Sequence, residues 1–70
     1  MYAARRRLFG QHLRNLRDAA GLSQEELALR AEIARNYIGG IEAGERSVGL
    51  DVVFALADAL HVSSRELMPD

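Results

Sequence analysis

The sequence predicts an all-α protein: a compact set of five short helices in one domain, residues 1–70. Three observations predict it. Apolar residues recur at steps of three and four, and strand-like alternation is absent. Glycines and serines stand where one periodic stretch ends and the next begins. The single proline, Pro69, lies beyond the last such stretch, so none of the predicted helices is interrupted.

The first helix is expected from about Ala3 to Ala20. Phe9, Leu13, Leu16 and Ala20 form one apolar stripe, and Gly21 is the stop. Ser23 opens the second. Ser23-Gln24-Glu25-Glu26 is a capping box, in which the Ser23 hydroxyl accepts from the residue-26 amide while Glu26 accepts from the Ser23 amide. Leu22 and Leu27 add hydrophobic-staple spacing, and a cap of this kind contributes about 1 kcal/mol. This helix ends near Ala31. The third begins at about Ala34, with Ile33 and Ile38 repeating the staple spacing, Ile38 and Ile41 facing inward, and Gly44 as the stop. Gly39-Gly40 inside it cost about 1 kcal/mol each relative to alanine. Such a helix either needs a close approach on that face or is held by packing despite the pair.

The fourth helix is expected from Leu50 to Leu60, with Leu50, Val53, Leu56, Ala57 and Leu60 as its core stripe and Val52, Phe54 and Ala59 on the flanks. A short helix this apolar is buried on more than one side. In so small a chain, the second side suits another protomer. Ser63-Ser64-Arg65-Glu66 is a second capping box and opens a short fifth helix. Val62, Leu67 and Met68 are expected to close the core.

Composition narrows the function. A chain of 70 residues buries only about 60% of its unfolded surface, and small domains usually need a staple or a partner. There is no cysteine, so disulfides and thiolate metal sites are excluded. His12 and His61 are too few and too far apart for a metal cage; each reads as a surface or helix-end residue, His12 with a phosphate contact as its functional alternative. Self-association is the remaining stabiliser. The longest apolar run, Val52 to Ala57, falls far short of the roughly 20 residues that span a bilayer. The arginines at positions 5–7 precede no apolar block of the signal-peptide kind. A soluble, cytoplasmic protein without cofactor, metal, membrane partner or small-molecule ligand is expected.

Net charge is −1, but its distribution is uneven. Residues 1–46 carry eight of the nine arginines against six carboxylates, and residues 47–70 carry one against four. One end suits phosphate and the other does not. No nucleophile–base pair or phosphate-cradling glycine loop is present, so an enzyme is the least favoured class.

The second and third helices with their tight join carry the functional signal. Ala28 is small where two steeply crossing helices touch, and Leu27, Ala31, Ile33, Ile38 and Ile41 supply both inner faces, a helix-turn-helix pattern over about residues 24–43. With Phe9-Gly10, Leu13-Arg14-x-Leu16-Arg17, Gly21-Leu22-Ser23-Gln24, Ile41-Glu42-x-Gly44-x-Arg46 and Leu56-Ala57-x-Ala59-Leu60, the chain resembles the phage Cro/CI-repressor family of DNA-binding domains, also called XRE, over about residues 8–68.

That resemblance implies a lambda-repressor-like domain binding double-stranded DNA at a palindromic operator as a homodimer, with the third helix in the major groove. It implies base contacts by Arg35 and Asn36, with Tyr37 and the Gly40 position on the same readout surface. It implies phosphate contacts by Gln24, Arg46 and Ser47. The alternatives are ordinary ones: solvated arginines at 35 and 46, first-turn filler at 24, and a Tyr37 that caps the core. Arg17 and Glu42 are implied to pair and brace the first helix against the third. Arg5, Arg6 and Arg7 form either a basic arm or a solvated helix end. Val52, Phe54, Ser64 and Met68 are the candidate dimer interface.

The sequence departs from the family pattern at five places. Glu32 and His61 stand where glycine is common, Ala34 where a capping Ser or Thr is common, Val48-Gly49 where Pro and Ser/Thr are, and Gly40 where a polar reader sometimes sits. The readout face is therefore expected to be small. Three regulatory roles fit: a Cro-like repressor, a restriction-modification controller, to which Arg35-Asn36-Tyr37-Ile38 leans, and an antitoxin. The reading from another class is a protein-interaction module of the same fold, an antitoxin or adaptor with weak or no DNA binding, suggested by Glu25, Glu26, Glu32 and the negative net charge.

Overall fold

The computed structural model describes residues 2–69. It has five helices, α1 (Tyr2–Ala19), α2 (Gln24–Ala31), α3 (Arg35–Glu42), α4 (Leu50–Leu60) and α5 (Ser64–Leu67), and no strand among the described residues. Several boundaries have a local cause. At α2 and α5 both halves of the capping box form: the Glu26 amide donates to Ser23 Oγ at 3.0 Å, the Ser23 amide donates to Glu26 Oε1 at 2.8 Å, and Ser63 and Glu66 repeat the arrangement. These bonds hold the Glu26 carboxyl below its ordinary pKa, because they favour the charged form. Gly21 and Gly44 end α1 and α3 at positive φ.

Glu32 and His61 take the same left-handed conformation at the ends of α2 and α4, with φ of 57° and 58°. These are two of the positions where family members often carry glycine. A side chain in this region costs about 1–2 kcal/mol. Their amides donate back to the carbonyls of the preceding turn, which offsets part of that strain.

Every helix supplies the core. Leu13, Leu27, Ile38, Ile41, Leu56 and Leu67 are fully buried, with Leu16, Ala31, Ile33, Tyr37, Val48, Val52 and Val62 packed against them. Three expected core residues lie elsewhere. Leu50 is 68% exposed: as the first residue of α4 it projects past the edge of the core that Val53 and Leu56 enter. Ala20 follows the last residue of α1 and is exposed. Met68 follows α5 in extended conformation and is 52% exposed, leaving Leu67 alone to fill the core at that end. Conversely, Ala59, expected on a flank, is buried.

His12 is not simply a surface residue. It is half-buried, and its Nε2–H donates to the carbonyl of Glu66, tying α1 to α5.

Gly10 marks the closest approach of α1 to α3. A Cβ there would strike the Ile41 carbonyl and stand 2.7 Å from the Glu42 carbonyl oxygen, both backbone groups that cannot rotate aside. Gly10→Ala is therefore expected to lower stability by about 1–3 kcal/mol, although alanine is the better helix former. Urea denaturation checks this; an unchanged or raised midpoint contradicts the close approach.

Candidate nucleic-acid interface

The site is built around the amino end of α3. Ile38 and Ile41 are buried and fix which face of α3 points inward. At 100° per residue, the opposite face carries Asn36, Gly39, Gly40 and Ala43, with Arg35 at its edge. The join is short. The Ile33 amide donates to the Ala28 carbonyl at 2.9 Å, and buried Ala28 leaves room for α3 to cross. Ala34 is the N-cap in extended conformation and makes no side-chain cap bond. Arg35 and Asn36 follow it, both exposed.

Arg17 and Glu42 brace this helix from behind. Arg17 Nε donates to Glu42 Oε2 at 2.7 Å, Nη2 to Oε1 at 3.0 Å, and Nη1 to the Leu22 carbonyl at 2.7 Å. Arg17 is 8% exposed and the Glu42 side chain 4%. The hydrogen bonds to Glu42 raise the already high Arg17 pKa against the opposing effect of burial. One guanidinium thus joins α1, the loop before α2, and the last turn of α3. Asp18 approaches the same guanidinium at 3.3 Å.

The other nominated side chains gather along the outer face. Gln24 is half-buried at the start of α2, and its Nε2 donates to Glu42 Oε1 at 3.0 Å. Tyr37 is half-buried against the core, and its hydroxyl donates to the Ser47 carbonyl at 3.2 Å. The ring body is packed and the hydroxyl lies at the surface, the arrangement of the core-capping alternative. Arg46 lies over the Tyr37 ring, its guanidinium carbon 5.8 Å from the centroid, a cation–π distance.

Gly40 has no side chain to offer. The space a Cβ would take is held by Arg46 Cγ at 2.6 Å, so the exposed surface at this position belongs to Arg46. This gives Gly40 a reason in packing: Arg46 closes over it, whereas a Cβ at Gly39 would stand at ordinary contact distance, 3.5 Å, from Gln24 Oε1. Arg6 Nε donates to the Gly44 carbonyl at 3.4 Å and Arg7 packs on Gly44, so two of the three clustered arginines support the loop after α3.

Residues 13–67 match the helix-turn-helix family HTH_3, of the XRE or Cro/CI type. The chain belongs to this family. It is 41% identical over 64 residues to control protein C.BamHI of Bacillus amyloliquefaciens, covering 90% of this chain and 79% of that protein. It is 38% identical over 61 residues to control protein C.SmaI of Serratia marcescens, covering 87% and 73%. Its fold superposes on the restriction-modification controller protein C.AhdI from Aeromonas hydrophila with a TM-score of 0.90 and 50% identity, covering 91% of this chain and 97% of that one. The HTH_3 proteins it resembles are DNA-binding transcription regulators and control proteins rather than enzymes, and the chain is of that class.

On this HTH_3 domain the nominated dimer residues fall on the α4–α5 side. Phe54 is 48% exposed and Met68 is exposed, whereas Val52 and Ser64 are half-buried. Leu50 joins them as an exposed apolar residue one turn before Phe54. No helix is long and apolar enough to cross a membrane, and no three metal-binding side chains gather, among the described residues.

Sequence reasoning missed three participants. Gly10 was legible only as a motif letter, since its role depends on where α3 lies. The Leu22 carbonyl, as third acceptor for Arg17, is a backbone group with no sequence signal. The Gln24–Glu42 bond joins residues 18 apart on different helices.

Proposed function

We propose that this chain is a sequence-specific transcriptional regulator that binds a palindromic operator as a homodimer through one domain, with α3 in the major groove. The observation that carries the reading is the exposed amino end of α3, where Arg35 and Asn36 stand at the surface of a helix anchored from behind by Ile38, Ile41 and the Arg17–Glu42 pair. Arginine pairs bidentately with guanine O6 and N7, and asparagine with adenine N6 and N7. Tyr37 and the surface over Gly40 extend the readout. Gln24, Arg46 and Ser47 flank it and take backbone phosphates, which set register without reading sequence. A double-stranded DNA partner accords with a cytoplasmic location.

Within this class we assign it the role of a restriction-modification control protein, on the likeness to C.BamHI, C.SmaI and C.AhdI. A neighbouring endonuclease and methyltransferase gene pair supports that role; a neighbouring toxin gene contradicts it in favour of an antitoxin.

Fluorescence anisotropy with duplex DNA at increasing salt tests the DNA reading. The logarithm of the association constant is expected to fall linearly with the logarithm of salt, by roughly 0.9 per phosphate neutralised. Absence of binding at low salt contradicts the reading and favours a protein-interaction module, with exposed Glu25, Glu26 and Glu32 as its surface.

The dimer is built through Phe54 and Met68, with Val52 and Ser64 beside them. Phe54→Asp is expected to convert the dimer to monomer in sedimentation equilibrium. A dimer of unchanged affinity removes Phe54 from the interface.

A further inference from the structure

We propose that Glu42 is a positioning residue for DNA binding: beyond pairing with Arg17, it fixes the Gln24 carboxamide so that one N–H is held ready for a backbone phosphate. This rests on the DNA-binding reading above.

A carboxylate only accepts hydrogen bonds, so it must face the nitrogen of a carboxamide and never its oxygen. Glu42 Oε1 takes one hydrogen of Gln24 Nε2 at 3.0 Å. Gln24 Oε1 lies over α3, 3.5 Å from where a Cβ on Gly39 would stand. Both ends of the amide are thereby placed, and the second N–H of Nε2 has no partner among the described residues. Gln24 is the first residue of α2, where free backbone amides and the helix dipole favour an anion.

Flipping the amide by 180° would present its oxygen to a phosphate, an acceptor facing an acceptor. Glu42 prevents the flip. Arg17 makes this possible: its two bonds to Glu42 neutralise a carboxylate that would otherwise repel a phosphate close by, and they hold both oxygens in place. Orientation is thus handed from α1 through α3 to α2.

Glu42→Gln keeps the shape and leaves an oxygen for Arg17, but offers Gln24 either a donor or an acceptor. The test is a double-mutant cycle of Glu42→Gln and Gln24→Ala, reading affinity for a generic DNA duplex at low salt, since a phosphate contact is independent of sequence. Glu42→Gln is expected to weaken binding about tenfold in the Gln24 background and to have no effect in the Gln24→Ala background. Equal losses in both backgrounds overturn the proposal and leave Glu42 a purely structural residue.

A second measurement needs neither DNA nor a variant that folds. In the free wild-type protein, the two Gln24 side-chain amide protons are expected at well-separated NMR shifts, the bonded one displaced from the free-carboxamide position. Free-carboxamide shifts for both overturn the proposal. Wild-type protein that binds no DNA defeats the functional reading instead, and the two failures are told apart by the salt titration.

Discussion

Arg17→Ala is expected to lower the unfolding free energy by about 3–5 kcal/mol. The reason is what remains. Glu42, its side chain 4% exposed, loses both guanidinium bonds, and the Leu22 carbonyl loses its side-chain donor. An uncompensated buried carboxylate is worse than no ion pair at all. Domains are stable by only about 0.05–0.15 kcal/mol per residue, so this loss is a large fraction of the total. Circular dichroism during urea denaturation measures it. Arg17→Ala combined with Glu42→Ala is expected to recover a substantial part of the loss, because it removes the stranded charge. Arg17→Lys is expected to fall between: a single ammonium cannot span both Glu42 oxygens and the Leu22 carbonyl. A shift below about 1 kcal/mol for Arg17→Ala is the value typical of a solvated surface pair and contradicts the buried geometry.

Arg35→Ala has the opposite profile. Arg35 is exposed and makes no hydrogen bond within the described chain, so folding stability should change by no more than about 0.5 kcal/mol. Its effect falls on sequence discrimination. A bidentate arginine–guanine contact is worth about 1–3 kcal/mol of discrimination, and a homodimer makes it twice. Affinity for the preferred duplex is therefore expected to fall by about 2–6 kcal/mol, while affinity for unrelated duplex falls far less, by one cation's share of the salt-dependent attraction. Losing specific and non-specific affinity in equal measure would make Arg35 a phosphate contact.

These two variants divide the molecule as its sequence does. Much of the fold was legible because its boundaries are local: Ser23 and Ser63 announce their helices by the glutamate three residues on, and Ile38 and Ile41 fix the inner face of α3 by spacing alone. Glu32 and His61 stand where the family pattern often has glycine, and the chain does turn left-handed at both. Leu50 and Met68 were misplaced because periodicity tells which face is apolar, not where the core runs out along the helix axis. His12 was misjudged because its partner, the Glu66 carbonyl, lies 54 residues away and is a backbone group.

For the site, the family resemblance pointed to Arg35, Asn36 and the Arg17–Glu42 pair, and the pairing chemistry of arginine with guanine and asparagine with adenine agreed with it. What no local pattern contains is that the protein already organises the side chains proposed to flank the DNA. Gln24 rests on Glu42, Arg46 on Tyr37 and Gly40, and Tyr37 on the Ser47 backbone. These are tertiary contacts, and they give Gly40 a purpose that helix propensity counts only as a penalty.

The central claim is that the amino end of α3 reads base pairs. Selection of binding sites from a random duplex pool, run in parallel with wild-type protein and Arg35→Ala, tests it most directly. The wild type is expected to enrich a two-fold-symmetric sequence with half-site centres about 10 base pairs apart, or a multiple of that. Each half should carry one G·C pair that Arg35→Ala no longer selects. Enrichment of the same sequence by both proteins, or of none by the wild type, contradicts the assignment of that surface.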